Sequence, residues 1–154
     1  MFKSCYTLVC EDGWTSFLIG DDINCLKNFG SVQLSQATSY CQSLNVSQIL
    51  PRNRKESDDL VSALLSLNLD SENADILISL DIYKTKEGEW HDSAGQLISY
   101  YNWLPDQIDY LTENLNYAGL RINGINKSVG WAKFSGTNEL NVVCTKKAGH
   151  GKKF

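Results

Sequence analysis

Proline, histidine and methionine are scarce in this chain of 154 residues, which carries two prolines (Pro51 and Pro105), two histidines (His91 and His150) and one methionine. No internal repeat or low-complexity run is present, and at this length with 42% hydrophobic residues a single core is expected rather than two domains. The five cysteines (Cys5, Cys10, Cys25, Cys41, Cys144) lack the close C-x-x-C spacing of zinc and redox sites, and the histidines are far apart. No run of about 18 apolar residues is present, so no segment reads as a membrane-spanning helix. Basic charge is also short, with 14 Lys and Arg against 18 Asp and Glu, a net charge of -4. A chain so balanced has no basic face for nucleic acid or for an anionic membrane. The exception is "KKAGHGKK", Lys146 to Lys153, whose glycines and lack of apolar residues mark a solvated tail.

No hydrophobic signal region follows Met1, because Lys3, Ser4, Cys5, Glu11 and Asp12 interrupt any such run. Cysteines without metal spacing point to disulfides in an oxidising compartment. Two N-glycan acceptor patterns agree with that, Asn45-Val-Ser and Asn126-Lys-Ser. The chain is therefore expected to be a mature secreted or ectodomain segment.

Period 2 around Trp14, Ser16 and Leu18 suits an early strand. In "LSQATSYCQSLN", Ala37, Tyr40, Cys41 and Leu44 fall at i, i+3, i+4 and i+7, which predicts a helix with Cys41 on its buried face. Leu60, Ala63, Leu64 and Leu67 repeat that spacing, with Asn53 and Glu56 as a capping box at the start. The segments 76–80, 97–103, 117–122, 129–134 and 140–144 are short, β-branched and aromatic and are predicted strands. Asn123-Gly124 is a hairpin signal, since both residues tolerate positive φ. Helices early and strands late imply an α+β fold with an antiparallel sheet. The segment Leu104 to Asn116 has no period and is long for a compact domain, which marks a functional or disordered loop. No nucleophile, base and orienting group share a recognisable spacing, so no catalytic site is expected. Asp58 and Asp59 read as a solvated helix face, Asp21 and Asp22 as a hairpin tip, and His91 as part of a turn.

The order of "CEDGW" (10–14), "ATSYC" (37–41), "ILPRNRKESDDL" (49–60), "ILISL" (76–80), "EWHDSAGQLISYYNW" (89–103), Trp131 and "VVC" (142–144) resembles the C-type lectin-like domain in its long form. The resemblance covers nearly the whole chain from Cys10, and implies an N-terminal extension over 1–9, the domain over 10–147 and the basic flexible tail over 148–154. It implies two helices packed on antiparallel sheets with a long irregular loop. It pairs Cys41 with Cys144, closing about a hundred residues, a link that chain entropy credits with ~4 to 5 kcal/mol. It also pairs Cys10 with Cys25. Cys5 is left over, either as an interchain link in a dimer or as a free terminal thiol. A further bridge usual in the family falls at Tyr117 and Gly136, and both cysteines are missing.

In sugar-binding members calcium sits in the long loop on a Glu-Pro-Asn or Gln-Pro-Asp triplet, a later acidic residue, and an Asn-Asp pair after the strand tryptophan. The triplet maps to Gln107-Ile108-Asp109, with proline replaced. A non-proline cis bond costs about 3 kcal/mol, so Ile108 is expected trans, with Gln107 and Asp109 no longer converging. The later acid falls at Leu115, with Glu113 and Asn114 out of register, and the Asn-Asp pair falls at Ala132-Lys133. Calcium needs six to eight oxygens, so the resemblance implies a decayed metal site and no cofactor. A gapped placement recruiting Asn138 and Glu139 breaks the spacing from Trp131 to Cys144, and a second calcium position around Asp81 and Glu87 is incomplete. Lys133 is then either paired with Asp109 or Asp106 or an exposed lysine. Tyr110 is either a stacking residue for a sugar or partner, or ordinary loop packing. Trp14, Trp90, Trp103 and Trp131 are read as core. The ligand-binding set expected is Gln107, Asp109, Tyr110, Glu113, Asn114 and Lys133. It would serve an extracellular module that binds a glycan without calcium or, alternatively, a cell-surface protein.

Overall fold

The computed structural model describes residues 6–69, 71–72, 75–107 and 115–152. In chain order the elements are β1 (Tyr6–Val9), β2 (Thr15–Ile19), β3 (Asp22–Gln33), α1 (Leu34–Ser43), β4 (Ser47–Gln48), α2 (Arg54–Ser66), β5 (Ser71–Glu72), β6 (Asp75–Lys84), β7 (Trp90–His91), a 3-10 turn at Pro105–Gln107, β8 (Tyr117–Asn123), β9 (Val129–Phe134), β10 (Glu139–Lys147) and β11 (Gly149–Lys152). The main sheet runs β2-β3-β10-β6-β8-β9, with β4, β5 and β7 paired onto it. Its ladders are antiparallel except where β10 meets β6 at Asn141 and Ile78. The early strand, both helices and four of the later strands stand where residue patterning predicts them. β3 is a 12-residue strand that the patterning did not reveal.

Each helix forms for a local reason and docks for a tertiary one. Asn53 caps α2, its Oδ1 accepting from the Glu56 N–H at 2.9 Å, and Glu56 Oε2 accepts from the Asn53 side-chain Nδ2 at 3.1 Å, so the predicted pair closes the helix start, the return bond running through the Asn53 side chain instead of its backbone N–H. Leu60, Ala63 and Leu64 then enter the core with Ile78, Leu80, Ile82, Leu120 and Trp131. Burying each leucine contributes about 1.5–3 kcal/mol. On α1 the buried stripe is Leu34, Ala37 and Cys41, while Tyr40 and Leu44 are exposed, contrary to expectation. The helix runs from Leu34 to Ser43, so Leu44 lies past its end, and its inward face is the narrower stripe of Leu34, Ala37 and Cys41. Cys41–Cys144 and Cys10–Cys25 are both bridged, as the resemblance implied.

Several expectations are corrected. Segment 97–103 is not a strand: it makes isolated bridges only, Leu97 with His91 and Trp103 with Trp131. Its aromatic side chains pack as a cluster instead of alternating across a ladder. His91 lies in β7, paired with Tyr83, and not in a turn. Asp59 is no idle surface carboxylate, because its Oδ2 accepts from the Gly20 N–H at 2.9 Å, and Lys55 Nζ donates to the Gly20 carbonyl at 2.8 Å, tying the β2–β3 turn to α2. The Asn123-Gly124 hairpin exists, but its positive φ is at Lys127 (60°), and Asn123 Oδ1 holds the turn by accepting from the Ile125 and Asn126 N–H groups. The segment 148–154, expected to be a flexible tail, is paired over Gly149–Lys152 with Tyr6–Val9 of the N-terminal extension. Tyr117 and Gly136 do adjoin, since a Cβ on Gly136 would stand 2.9 Å from Tyr117 Cε2. An aromatic ring on a glycine thus fills the place of the missing bridge.

The turn that aims residues 97–103 is built on Asp92. Its Oδ1 accepts from the Ala94 and Gln96 N–H groups, each at 2.9 Å, and its Oδ2 accepts from Arg52 Nη2 at 2.9 Å. Burial pushes this carboxyl up, but the Gln96 and Ala94 amides together with Arg52 outweigh it and hold it below the usual carboxylate range. Neighbouring Asp81 goes the other way: burial pushes it up, more than its bonds from Ser93 pull it down. The two carboxyls therefore act on stability with opposite signs. Asp92 contributes stability at neutral pH that disappears as pH falls through its folded-state pKa. Asp81 favours the fold in acid, and that contribution is lost as pH rises through its folded-state pKa. Urea unfolding at pH 7 should show Asp92→Asn destabilised by about 1–3 kcal/mol and Asp81→Asn stabilised. Both differences should shrink at pH 3.

Candidate ligand-binding site

The long loop begins by completing the open edge of β9. Trp131 N–H donates to the Asn102 carbonyl at 2.8 Å, Leu104 N–H donates to the Trp131 carbonyl at 2.9 Å, and Gln107 N–H closes the 3-10 turn onto Leu104. One step further along β9, Lys133 N–H donates to Gln107 Oε1 at 3.0 Å. An edge that would otherwise present bare amides is thereby covered. Gly130 permits the approach, since a Cβ there would stand 2.5 Å from Leu104 Cδ2.

Lys133 fastens the same turn from its other end. Its Nζ donates to the Gln107 carbonyl at 2.8 Å and lies 5.2 Å from the Trp103 ring centroid. Burial, and then the nearby Lys84, hold its pKa below the usual lysine range. Among the described residues Lys133 is therefore neither paired with Asp106 nor an idle surface lysine. It is a cation held by a carbonyl and an aromatic face. Asp109, Tyr110, Glu113 and Asn114 lie outside the described residues, as does Cys5. Of the expected set, only Gln107 and Lys133 are brought together in view.

The aromatic residues divide into floor and surface. Trp131 is fully buried and Trp90 nearly so, whereas Trp14 and Trp103 are half-buried. Tyr101 lies 6.0 Å from Trp103 in a stacked arrangement with 40% of its surface exposed, and Leu97, bridged to His91, is 60% exposed. Both acceptor asparagines, Asn45 and Asn126, are exposed. Asn138 is spent on the β9–β10 turn, its Oδ1 accepting from the Ser135 N–H. Asp81 is buried and bonded to Ser93 while Glu87 stands exposed on the β6–β7 turn. No group of three or more His, Cys, Asp or Glu side chains is placed to hold a metal ion among the described residues.

Patterning missed an ion pair on the outer face of the sheet. Arg121 of β8 directs both Nε and Nη2 to Asp75 Oδ2 of β6, each at 3.0 Å. The only signal that could have found it is register, Leu77 opposite Arg121 and Asp75 opposite Asn123, and register is not legible before β6 and β8 are paired. Asp75, Leu77, Gln107, Arg121, Ala132, Lys133 and Phe134 line a cleft of about 350 Å³ beside the loop. A larger cleft of about 490 Å³ lies between the β2–β3 turn and α2. There Lys55 is engaged with the hairpin turn and Glu56 with the helix cap, so fewer of its polar groups are open to a ligand.

Comparison with solved structures settles the architecture. The mouse scavenger receptor C-type lectin carbohydrate-recognition domain superposes with a TM-score of 0.69 at 19% identity, covering 91% of this chain and 98% of that one. The chain has the C-type lectin-like fold. The C-type lectin domain of murine dendritic cell inhibitory receptor 2, solved in complex with an N-glycan, matches at 0.67 and 15% identity over 90% of this chain and 99% of that one. A calcium-independent type II antifreeze protein matches at 0.65 and 15% identity over 92% and 97%. No family model matches the sequence, and no curated protein matches it. The C-type lectin-like fold is thus carried here by a chain at most distantly similar in sequence to these relatives.

Gly130→Ala should displace Leu104 and loosen the loop from β9. Hydrogen exchange should quicken at the Leu104 and Trp131 amides by at least tenfold while amides of α2 are unchanged. Unchanged exchange at Leu104 would mean that the loop does not depend on this approach.

Proposed function

We propose that this C-type lectin-like domain is an extracellular recognition module that binds a glycan through its long-loop face without a calcium ion. The observation that carries the reading is Lys133. The family's loop metal needs oxygens converging on the triplet and on the pair after the strand tryptophan. Here Gln107 Oε1 already accepts from the Lys133 N–H, and an ammonium stands 2.8 Å from the Gln107 carbonyl. Divalent calcium would meet like charge and a ligand set short of the six to eight oxygens it requires. The described residues therefore do not fit the ion, and the lysine takes over its structural task of fixing the loop. Asp109, Tyr110, Glu113 and Asn114 would meet the ligand from the remainder of the loop.

Two bridged cysteine pairs support an oxidising, extracellular setting, and no helix among the described residues is long and apolar enough to cross a membrane. Exposed Asn45 and Asn126 would carry N-glycans there, and Cys5 would link two copies. A second reading, recognition of a cell-surface protein, is favoured by exposed Leu97 and Tyr101, which together offer the apolar and aromatic anchors typical of protein interfaces. The fold of the glycan-bound relative supports the first reading, and that of the calcium-independent antifreeze protein supports binding without the metal.

Calorimetric titration of the oxidised protein with calcium to millimolar concentration should give no binding heat, and binding to immobilised glycans should be unaffected by EDTA. A single-site calcium isotherm would overturn the metal-free reading. Glycan binding should weaken at least tenfold in Asp109→Ala, and unchanged binding would remove that residue from the site.

A further inference from the structure

We propose that a glycan on Asn126 folds back onto the protein, with its first N-acetylglucosamine seated in the cleft between the β8–β9 turn and the 3-10 turn at Pro105–Gln107, and so braces the start of the long loop. The proposal rests on the reading of Asn126 as a glycan acceptor, and gives that glycan a place and a task.

The acceptor is itself part of a cleft wall. Leu104, Pro105 and Asp106 line one cleft of about 350 Å³ together with Arg121, Asn126 and Ser128 of the hairpin, which is room enough for one sugar. The exposed Asn126 carboxamide is held at one end only. Its Oδ1 accepts from the Ser128 N–H at 2.9 Å, and among the described residues no acceptor takes its Nδ2. Nδ2 is the atom that glycosylation uses. Transfer from a polyprenyl diphosphate-linked oligosaccharide forms the Nδ2–C1 bond and breaks the C1–O bond to the diphosphate, which leaves, while one Nδ2 proton passes to a base of the transferase. The link is thus compatible with the bond that orients the carboxamide in the folded turn.

The other walls suit N-acetylglucosamine. Leu104 and Pro105 offer apolar surface to the acetyl methyl and the ring C–H groups, and exposed Asp106 offers a carboxylate to the acetamido N–H or a hydroxyl. Asn123, which also lines the cleft, spends its Oδ1 on the Ile125 and Asn126 N–H groups and keeps Nδ2 to donate. The tether supplies the strength that one sugar lacks. A lone monosaccharide in such a cleft binds at about millimolar strength, and a short flexible link gives an effective concentration of about the same size. Seated there, the sugar joins the hairpin to the turn where the Leu104 amide bonds to Trp131 and the Gln107 amide to Leu104. Ile125, beside the acceptor and 82% exposed, is shaded by the same glycan. Asn45 is the contrast: it lies just past α1 with a φ of 61° and lines neither this cleft nor the two described above, so a glycan there has none of these walls to fold onto.

The test uses the intact chain secreted from a eukaryotic host and trimmed by an endoglycosidase to one N-acetylglucosamine at each occupied acceptor, beside Ser128→Ala and Asn45→Gln treated alike. Ser128→Ala removes the acceptor pattern and leaves Asn126 Oδ1 its backbone partner. Mass spectrometry should find Asn126 occupied in the parent. Hydrogen exchange at the Leu104 and Gln107 amides should be slower in the parent than in Ser128→Ala by about threefold, with amides of α2 alike in both, and Asn45→Gln should keep the slow exchange. Made in a bacterial host and oxidised, without glycans, parent and Ser128→Ala should exchange alike; a difference there would assign the effect to the substitution and overturn the bracing. Equal exchange with Asn126 occupied would overturn the bracing and leave the N-glycan reading standing. A bare Asn126 would overturn the proposal, and a bare Asn45 beside it would overturn the N-glycan reading as well.

Discussion

The arrangement of the loop face depends on one edge. β9 closes the sheet on that side, and its outward N–H and C=O groups would be open if the chain after Trp103 went elsewhere. Because Asn102, Leu104 and the Gln107 side chain bond to Trp131 and Lys133, the loop is anchored at successive points along a strand whose other edge is buried against β8. Trp131, fully buried, sits at the middle of that anchor and carries the aromatic cluster of Tyr100, Tyr101 and Trp103 against the core. Backbone hydrogen bonding thus places the loop, and aromatic packing keeps it there.

A lysine stands at the centre of this arrangement. A metal ion draws oxygens inward and offers open coordination positions to a ligand, whereas an ammonium takes up nearby carbonyls and the face of a tryptophan and is largely satisfied by the protein itself. Lys133 therefore fixes the start of the loop through the Gln107 carbonyl and the Trp103 ring. Elsewhere on the sheet the Asp75–Arg121 pair is bonded unevenly, with two donors on one carboxylate oxygen and none on the other, buried oxygen.

The missing bridge at Tyr117 and Gly136 shows how a lost covalent link is replaced by packing. The two positions still touch, with a tyrosine ring against a residue that has no Cβ to obstruct it. β8 and the β9–β10 turn remain in register without the cross-link, and Ser35 of α1 lies within reach of the same glycine, so the helix joins the contact. Packing of this kind is less constraining than a covalent bond on the unfolded chain, so the stability contributed by the remaining bridges matters more.

Much of the framework was legible in residue order. Periodicity identified both helices, although on α1 Tyr40 and Leu44, expected on the buried face, are exposed; Asn53 and Glu56 announced the cap of α2; and the order of cysteines and tryptophans, through a family resemblance, implied both disulfides and the fold. Segment 97–103 misled, because aromatic and β-branched composition reports burial and not the presence of a ladder partner. The partners of Lys133 and the pairing of Asp75 with Arg121 were not legible at all. They join residues 26 and 46 positions apart, and which groups meet there depends on strand register and on the path of a loop. Sequence by itself determined which residues must be buried and where helices begin, since those follow from local periodicity and capping. Only the tertiary structure decided which polar groups remain unsatisfied, because that depends on every neighbour a group acquires when distant strands come together.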